Sequence, residues 1–230
     1  TRLQLYDLGL TALFHDIGKS RVSAEVINKA GQLTEEEWRM VASHPWMGLL
    51  ALFQLREATE FPYRAMRVAY EHHMKCDVTG YPRTLRTRST GLYSRIVACA
   101  DGFDAATTRR SYQTEPLSPA AVLAELRDNP RRGQDPTVVK AFVSMLGIYP
   151  VGTFVVLDSF ELAIVNSVST DPTMLSRPMA LIISDDQGNV RHPGELVNLA
   201  DKDEAGVFRR TIIKTADPER YGVRVGDYFL

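Results

Sequence analysis

Histidines 72 and 73 stand side by side in "AYEHHMKCDVTGYP", residues 69–82, with Asp77 four residues on and Gly-Tyr-Pro closing the stretch. On an α-helix, adjacent side chains point about 100° apart, so two neighbouring imidazoles do not share one face. The pair suits two adjacent metal ions, or a helix end where the backbone opens. Four of the five histidines fall between residues 15 and 73, and each has company. His15 is followed by Asp16, His44 precedes Pro45, and Asp101 lies in "ACADGFDA" together with Asp104. Neutral imidazole nitrogens and carboxylate oxygens are the donors of mixed N/O sites for first-row transition metals, with no need for sulfur. A carboxylate has two oxygens and can bridge two ions. Taken singly, each residue has a plain structural alternative: His44 as a satisfied core histidine, Asp101 as an exposed helical acid, Lys19 as a solvated cation at a helix C-terminus. Together they point to side chains converging from several helices of a bundle around metal.

The elements that would bring them together read as helices joined by short loops over residues 1–149. Leu3, Leu10, Leu13 and Ile17 recur at helical spacing. The chain enters this pattern at Thr1, with no methionine, cap or turn ahead of it, and is expected to be a piece of a longer protein. Gly18 is placed to stop this helix near Ile17. Thr34 and Glu37 have capping-box spacing and open a helix running toward His44, and Pro45 marks a fresh start. "FPYRAMRVAYEHH" sets Met66, Ala69 and His73 on one face. "GYPRTLRTRSTG" is a loop by its glycines, proline and polar residues. Helices are expected again over "LYSRIVACADGFDAATT", after Ser118–Pro119, and over "DPTVVKAFVSML". Beyond "GIYPVG" the short β-branched runs "TFVVL", "LAIVNSV", "MALIISD" and "FRRTIIKT" read as strands. Residues 150–230 are thus expected to form a small β-rich domain, a barrel or sandwich for packing or partner contact, with His192 in a loop.

Composition narrows the function classes. The 230 residues carry a net charge of −1, which gives no support for binding polymeric nucleic acid or an anionic membrane. The longest apolar runs are far too short to span a bilayer, and no signal-peptide pattern is present. Cys76 and Cys99 form no disulfide framework and are expected to be buried small apolar residues in a reducing cytoplasm.

"HDIGK", then His44, then "HH…D..GYP", then "ADGFDAATTRRSY" resembles the HD-GYP family, a branch of the HD phosphohydrolases, over roughly residues 1–147. The resemblance implies a mostly α fold, an HD-type helical bundle, holding two divalent transition metals, usually iron or manganese. It implies hydrolysis of cyclic di-GMP to linear pGpG, and on to GMP, in bacterial signalling. By position, His15, Asp16, His44, His72, His73 and Asp101 would be metal ligands, with Asp16 bridging. Lys19 would meet the scissile phosphate and Arg110 another phosphate. Gly80, Tyr81 and Pro82 would shape the loop beside the substrate and offer a surface to GGDEF-type or other signalling proteins. Two ions about 3.5–4 Å apart suit an in-line displacement at phosphorus. The loop cations Arg83, Arg86 and Arg88 suit a dianionic dinucleotide, or simply a solvated loop. The chain departs from the family pattern at Met74, where Glu is usual, at Val78, where Gly is usual, and at Gln113, where a basic residue is common. A family histidine upstream of His15 falls outside the chain. These departures keep open a non-catalytic module that binds a cyclic dinucleotide or a signalling partner, and an HD hydrolase for a different nucleotide.

Overall fold

The computed structural model describes residues 1–54, 63–77, 79–84, 89–108 and 117–229, with backbone alone at residues 130, 192 and 193. Helix α1 (Arg2–Phe14) begins at Thr1, whose hydroxyl and the Gln4 side chain form a reciprocal capping box. The cap that the sequence pattern lacked is therefore the first residue itself. The helix ends at Phe14, short of the expected Ile17, because Asp16 leaves helical geometry (φ −101°, ψ 8°) and a 3-10 turn follows over Ile17–Arg21. That backbone conformation lies in the sparsely populated bridge region.

Gly18 is not a helix stop. A Cβ built on it would stand 1.9 Å from the His44 carbonyl oxygen and 2.5 Å from the Gly48 nitrogen. Only glycine permits so close a backbone approach. A Cβ on Gly48 would in turn meet the Ala69 methyl at 3.3 Å. Three small residues thus draw the 3-10 turn, α4 (His44–Gln54) and α5 (Tyr63–Glu71) against one another. Around this contact, Leu52, Ala65, Met66 and Ala69 form a buried cluster, with Phe14, Ile17 and Leu49 packed on it.

The remaining helices are α2 (Ala24–Ile27), α3 (Glu35–Ala42), α6 (Leu92–Thr107), α7 (Pro119–Asp128) and α8 (Pro136–Leu146). The Thr34–Glu37 capping box forms as expected. Lys29 adds an ion pair to Glu37 at 2.6 Å, which ties α3 to the segment before it. On α1, Leu3 and Leu13 are 70% and 74% exposed, and the buried residue is Thr11, whose hydroxyl donates back to the Leu8 carbonyl. Cys99 is buried on α6, but Cys76 is exposed, because the chain has left the helix before reaching it. Among the described residues, no helix is long and apolar enough to cross a membrane.

The chain divides into two compact units, Thr1–Leu117 with Asp128–Val139, and Ser118–Arg127 with Lys140–Leu230. The second holds an antiparallel sheet in the order β4-β3-β2-β1-β5, from β1 (Phe154–Leu157), β2 (Leu162–Ser167), β3 (Met179–Ser184), β4 (Val190–Asn198) and β5 (Ile212–Thr215). Val155, Leu157, Ala163, Val165, Ala180 and Ile182 are buried on one side of it. Phe154, Val156, Leu162, Ile164 and Ile183 form a second buried cluster. Burial of both sets explains why these strands read as continuous apolar runs and not as alternation. Among the described residues, a single five-stranded sheet stands where a barrel or sandwich was expected. His192, expected in a loop, falls within β4, a strand at the end of the sheet order, where the proline that follows it is tolerated. Gly194 is required there, since a Cβ would lie 2.6 Å from the Ile182 carbonyl oxygen.

Candidate metal centre

The helical unit assembles all six expected donors at one place. One group is Asp16, His44, His72 and His73; a second is His15, Asp16 and Asp101; in each, one donor atom per residue lies within 4.8 Å of all the others. Asp16 belongs to both. Its Oδ1 is 3.2 Å from His44 Nε2 and 3.6 Å from His72 Nε2, and its Oδ2 is 3.2 Å from His15 Nε2. One carboxylate therefore presents one oxygen to each set of donors.

The adjacency of His72 and His73 is settled by backbone geometry. Helix α5 ends at Glu71, so both imidazoles sit where the helix opens, and both fall in the same donor set and are not divided between two. Three rings are oriented from behind by main-chain carbonyls. His15 Nδ1 bonds to Ala12 O and His44 Nδ1 to Val41 O, each at 2.6 Å, and His72 Nδ1 bonds to Ala69 O at 3.0 Å. Donation from Nδ1 leaves Nε2 as the free lone pair, the tautomer that a metal ligand needs. His44 and His72 bring these nitrogens within 3.2 Å of each other while 0% and 2% exposed. Two buried acceptors facing one another are costly unless something positive lies between them. His15 Nε2 and Asp16 Oδ1 are also buried without a hydrogen-bond partner. The donor set and these orphaned atoms fit divalent cations.

The electrostatics agree. Burial opposes ionisation of Asp16, yet the imidazoles of His15, His44 and His72, wherever Nε2 carries a proton in place of a metal, and the Lys19 ammonium overrule it and hold the carboxyl far below the usual range. Burial likewise disfavours charge on His15, but the carboxylates of Asp101 and Asp16 raise its pKa to about 10. Burial and the neighbouring His72 and His44 depress His73 to about 3 and keep it neutral. Burial, then the negative charge of Asp101 and Asp16, pushes the Tyr81 phenol well above the usual phenol range. A cation entering beside His15 would displace its proton, as metal binding to protonated ligands does.

Lys19 Nζ reaches Asp16 Oδ2 at 2.5 Å and is partly exposed, so it forms the cationic rim of the site. The Gly80–Tyr81–Pro82 segment folds back over it. Gly80 has φ +87°, and a Cβ there would stand 2.4 Å from the His73 carbonyl oxygen. Tyr81 lies stacked on His73 with ring centroids 4.6 Å apart. The turn before it is organised by Asp77, whose Oδ1 accepts from both the Thr79 backbone N–H and its hydroxyl. Met74 is buried and bridges to Gly80. Arg110, Arg86, Arg88, Val78 and Gln113 lie outside the described residues. A groove of about 350 Å³ between α1 and α6, lined in part by Leu8, Ala12, Ile96 and Ala100, runs beside His15 and Asp101.

Sequence reasoning missed Glu71. Its Oε2 accepts from the Gly91 backbone N–H and the Ser94 hydroxyl, both at 2.7 Å, and Oε1 accepts from Arg67. Gly91 is the N-cap of α6 and supplies no capping side chain, so Glu71 caps that helix from α5. It thereby ties the segment carrying His72 and His73 to the helix carrying Asp101. Nothing local marks this role, since a glutamate at the end of a helix reads as a surface residue. Glu71→Ala leaves a buried hydroxyl and N–H unpaired, which costs about 1–3 kcal/mol. Urea denaturation followed by helical circular dichroism should show that loss, together with weaker metal retention.

The HD domain family matches residues 1–138. The chain is 33% identical over 195 residues to "Cyclic di-GMP phosphodiesterase PA4108" of Pseudomonas aeruginosa, covering 84% of this chain and 45% of that protein. It is 37% identical over 141 residues to "3'3'-cGAMP-specific phosphodiesterase 3" of Vibrio cholerae, covering 60% and 29%. Against a "Cyclic di-GMP phosphodiesterase" of Thermotoga maritima it is 32% identical over 142 residues, covering 60% and 37%. The chain spans less than half the length of each of these relatives.

Proposed function

The chain belongs to the HD domain family, in its HD-GYP branch, and on that premise we propose that it hydrolyses a cyclic dinucleotide, with cyclic di-GMP as substrate and linear pGpG as product. The observation that carries this reading is the single carboxylate of Asp16 shared by two sets of buried donors. His44, His72 and His73 would hold one cation, His15 and Asp101 the other, with Asp16 between them. Iron or manganese suits the N/O donors, and neither cysteine belongs to either set. Bound there, the two cations supply Lewis acidity at the phosphodiester and lower the pKa of a water.

The chain's own residues do the rest. The main-chain carbonyls behind His15, His44 and His72 fix the rings so that the donor geometry needs no rearrangement during turnover. Lys19 offers a compact positive charge to a non-bridging phosphate oxygen. Gly80, Tyr81 and Pro82 wall the site beside His73, and Arg110 would contact a second phosphate. The exposed Gly80 and Arg83 give the same loop a face for GGDEF-type or other signalling proteins. Free cysteines suit a reducing cytoplasm. Residues 1–149 carry this chemistry, and none is assigned to 150–230.

The test is chromatographic detection of pGpG from cyclic di-GMP, using full-length protein loaded separately with Fe(II) and Mn(II). Binding without cleavage under every metal would select the non-catalytic module in its place; cleavage of 3'3'-cGAMP alone would move the substrate within the same class. Lys19→Ala should retain its metal while kcat falls on the order of a hundredfold, the scale of losing one preorganised charge donor. An unchanged kcat removes Lys19 from the reaction.

A further inference from the structure

The metal centre and Lys19 account for the phosphodiester of a cyclic dinucleotide but leave its purine bases without a partner. Beside the site, on α3, Trp38 is 48% exposed and makes an edge-to-face contact with Tyr81 at 5.5 Å. Tyr81 is itself stacked on His73 at 4.6 Å, with an interplanar angle of 29°, and meets His44 edge-on at 6.2 Å. The aromatic layer therefore runs without a break from two of the metal-site imidazoles to an indole at the surface. Exposure alone is not the signal, since Trp46 is 47% exposed and meets Tyr70 edge-on. What sets Trp38 apart is that its ring partner is in contact with the donor set. The helix start that carries it is fixed: the neighbouring Glu37 is held by the Thr34 capping box and by Lys29.

We propose that Trp38, backed by Tyr81, is the stacking platform for one purine base of the cyclic dinucleotide whose phosphodiester lies at Asp16 and Lys19. This rests on the phosphodiesterase reading above and goes beyond it by naming where the base is held. Stacking on an aromatic face tolerates any base, because every base has a π-face. Trp38 therefore raises affinity for guanine- and adenine-containing cyclic dinucleotides alike, and selectivity between them lies elsewhere.

The experiment uses full-length, metal-loaded protein with cyclic di-GMP and 3'3'-cGAMP as probes. Trp38→Ala should raise KM for whichever probe is cleaved by about tenfold, with a much smaller change in kcat, and Trp38→Phe should restore KM to within about threefold. Metal content should match the parent in both variants. Tryptophan emission should be quenched on titration of the parent with cyclic di-GMP, and that quenching should be lost in Trp38→Phe. An unchanged KM in Trp38→Ala, or a Trp38→Phe variant as impaired as the alanine one, overturns the platform while leaving the hydrolase reading intact. Metal loss in Trp38→Ala assigns the residue a structural role and also overturns it. If the parent protein neither binds nor cleaves either probe, both readings fall together.

Discussion

Asp16→Ala is expected to remove both cations at once and abolish hydrolysis, because among the described residues Asp16 is the side chain common to the two donor sets. Loss of a partner that merely orients a ligand weakens metal binding about 10–100-fold, and loss of a shared ligand should exceed that. Elemental analysis after gel filtration should fall from about two metals per chain to nearly none, in full-length protein. The helical circular-dichroism signal should survive, since Asp16 lies between α1 and the 3-10 turn and not inside a helix. Asp101→Ala is the informative contrast. Asp101 belongs only to the set with His15 and Asp16, so that variant should keep the cation held by His44, His72 and His73. Equal metal loss in the two variants would remove the bridging role from Asp16.

Gly18→Ala should be the most damaging change outside the donors. The added Cβ would stand 1.9 Å from His44 O and 2.5 Å from Gly48 N, both of them main-chain atoms that no side-chain rotation can clear. The 3-10 turn and α4 must separate, and with them the 3.2 Å approach of His44 to Asp16. Core overpacking typically costs about 1–3 kcal/mol, more where the clash cannot relax, so at least about 3 kcal/mol is expected here, with metal binding lost alongside. Gly9→Ala provides the control. Nothing lies within 4 Å of a Cβ there, and in an exposed helix interior alanine is favoured over glycine by about 0.8–1 kcal/mol. Denaturant melts of the two variants should move in opposite directions. A Gly18→Ala protein as stable as its parent would mean that the close approach of these backbones is not what holds the site.

Local signals were the readable ones. The Thr34–Glu37 box, Ser118 ahead of Pro119, and the period of "LYSRIVACADGFDAAT" each encode their element within a few residues, and each element forms. The apolar runs of the sheet were found for the same reason. Strand β4 was not, because proline and glycine carry turn statistics that an edge position and a close approach to Ile182 override. The spacing of Leu3, Leu10, Leu13 and Ile17 marks a helix with an apolar side without showing what that side meets. Leu3 and Leu13 lie at the surface while Thr11 is buried.

The sequence by itself determined which donors exist: imidazoles, carboxylates and a nearby lysine, in an order that matches the HD-GYP pattern. Ligand chemistry is a property of the side chain, so it can be read wherever the residue falls. Only the tertiary structure decided that Asp16 serves two donor sets, that His72 and His73 share one, that Glu71 caps the helix of Asp101, and that Trp38 stands beside Tyr81. Those relations join residues far apart in the chain. They depend on how closely two backbones approach at Gly18 and Gly48, a distance that no local propensity encodes.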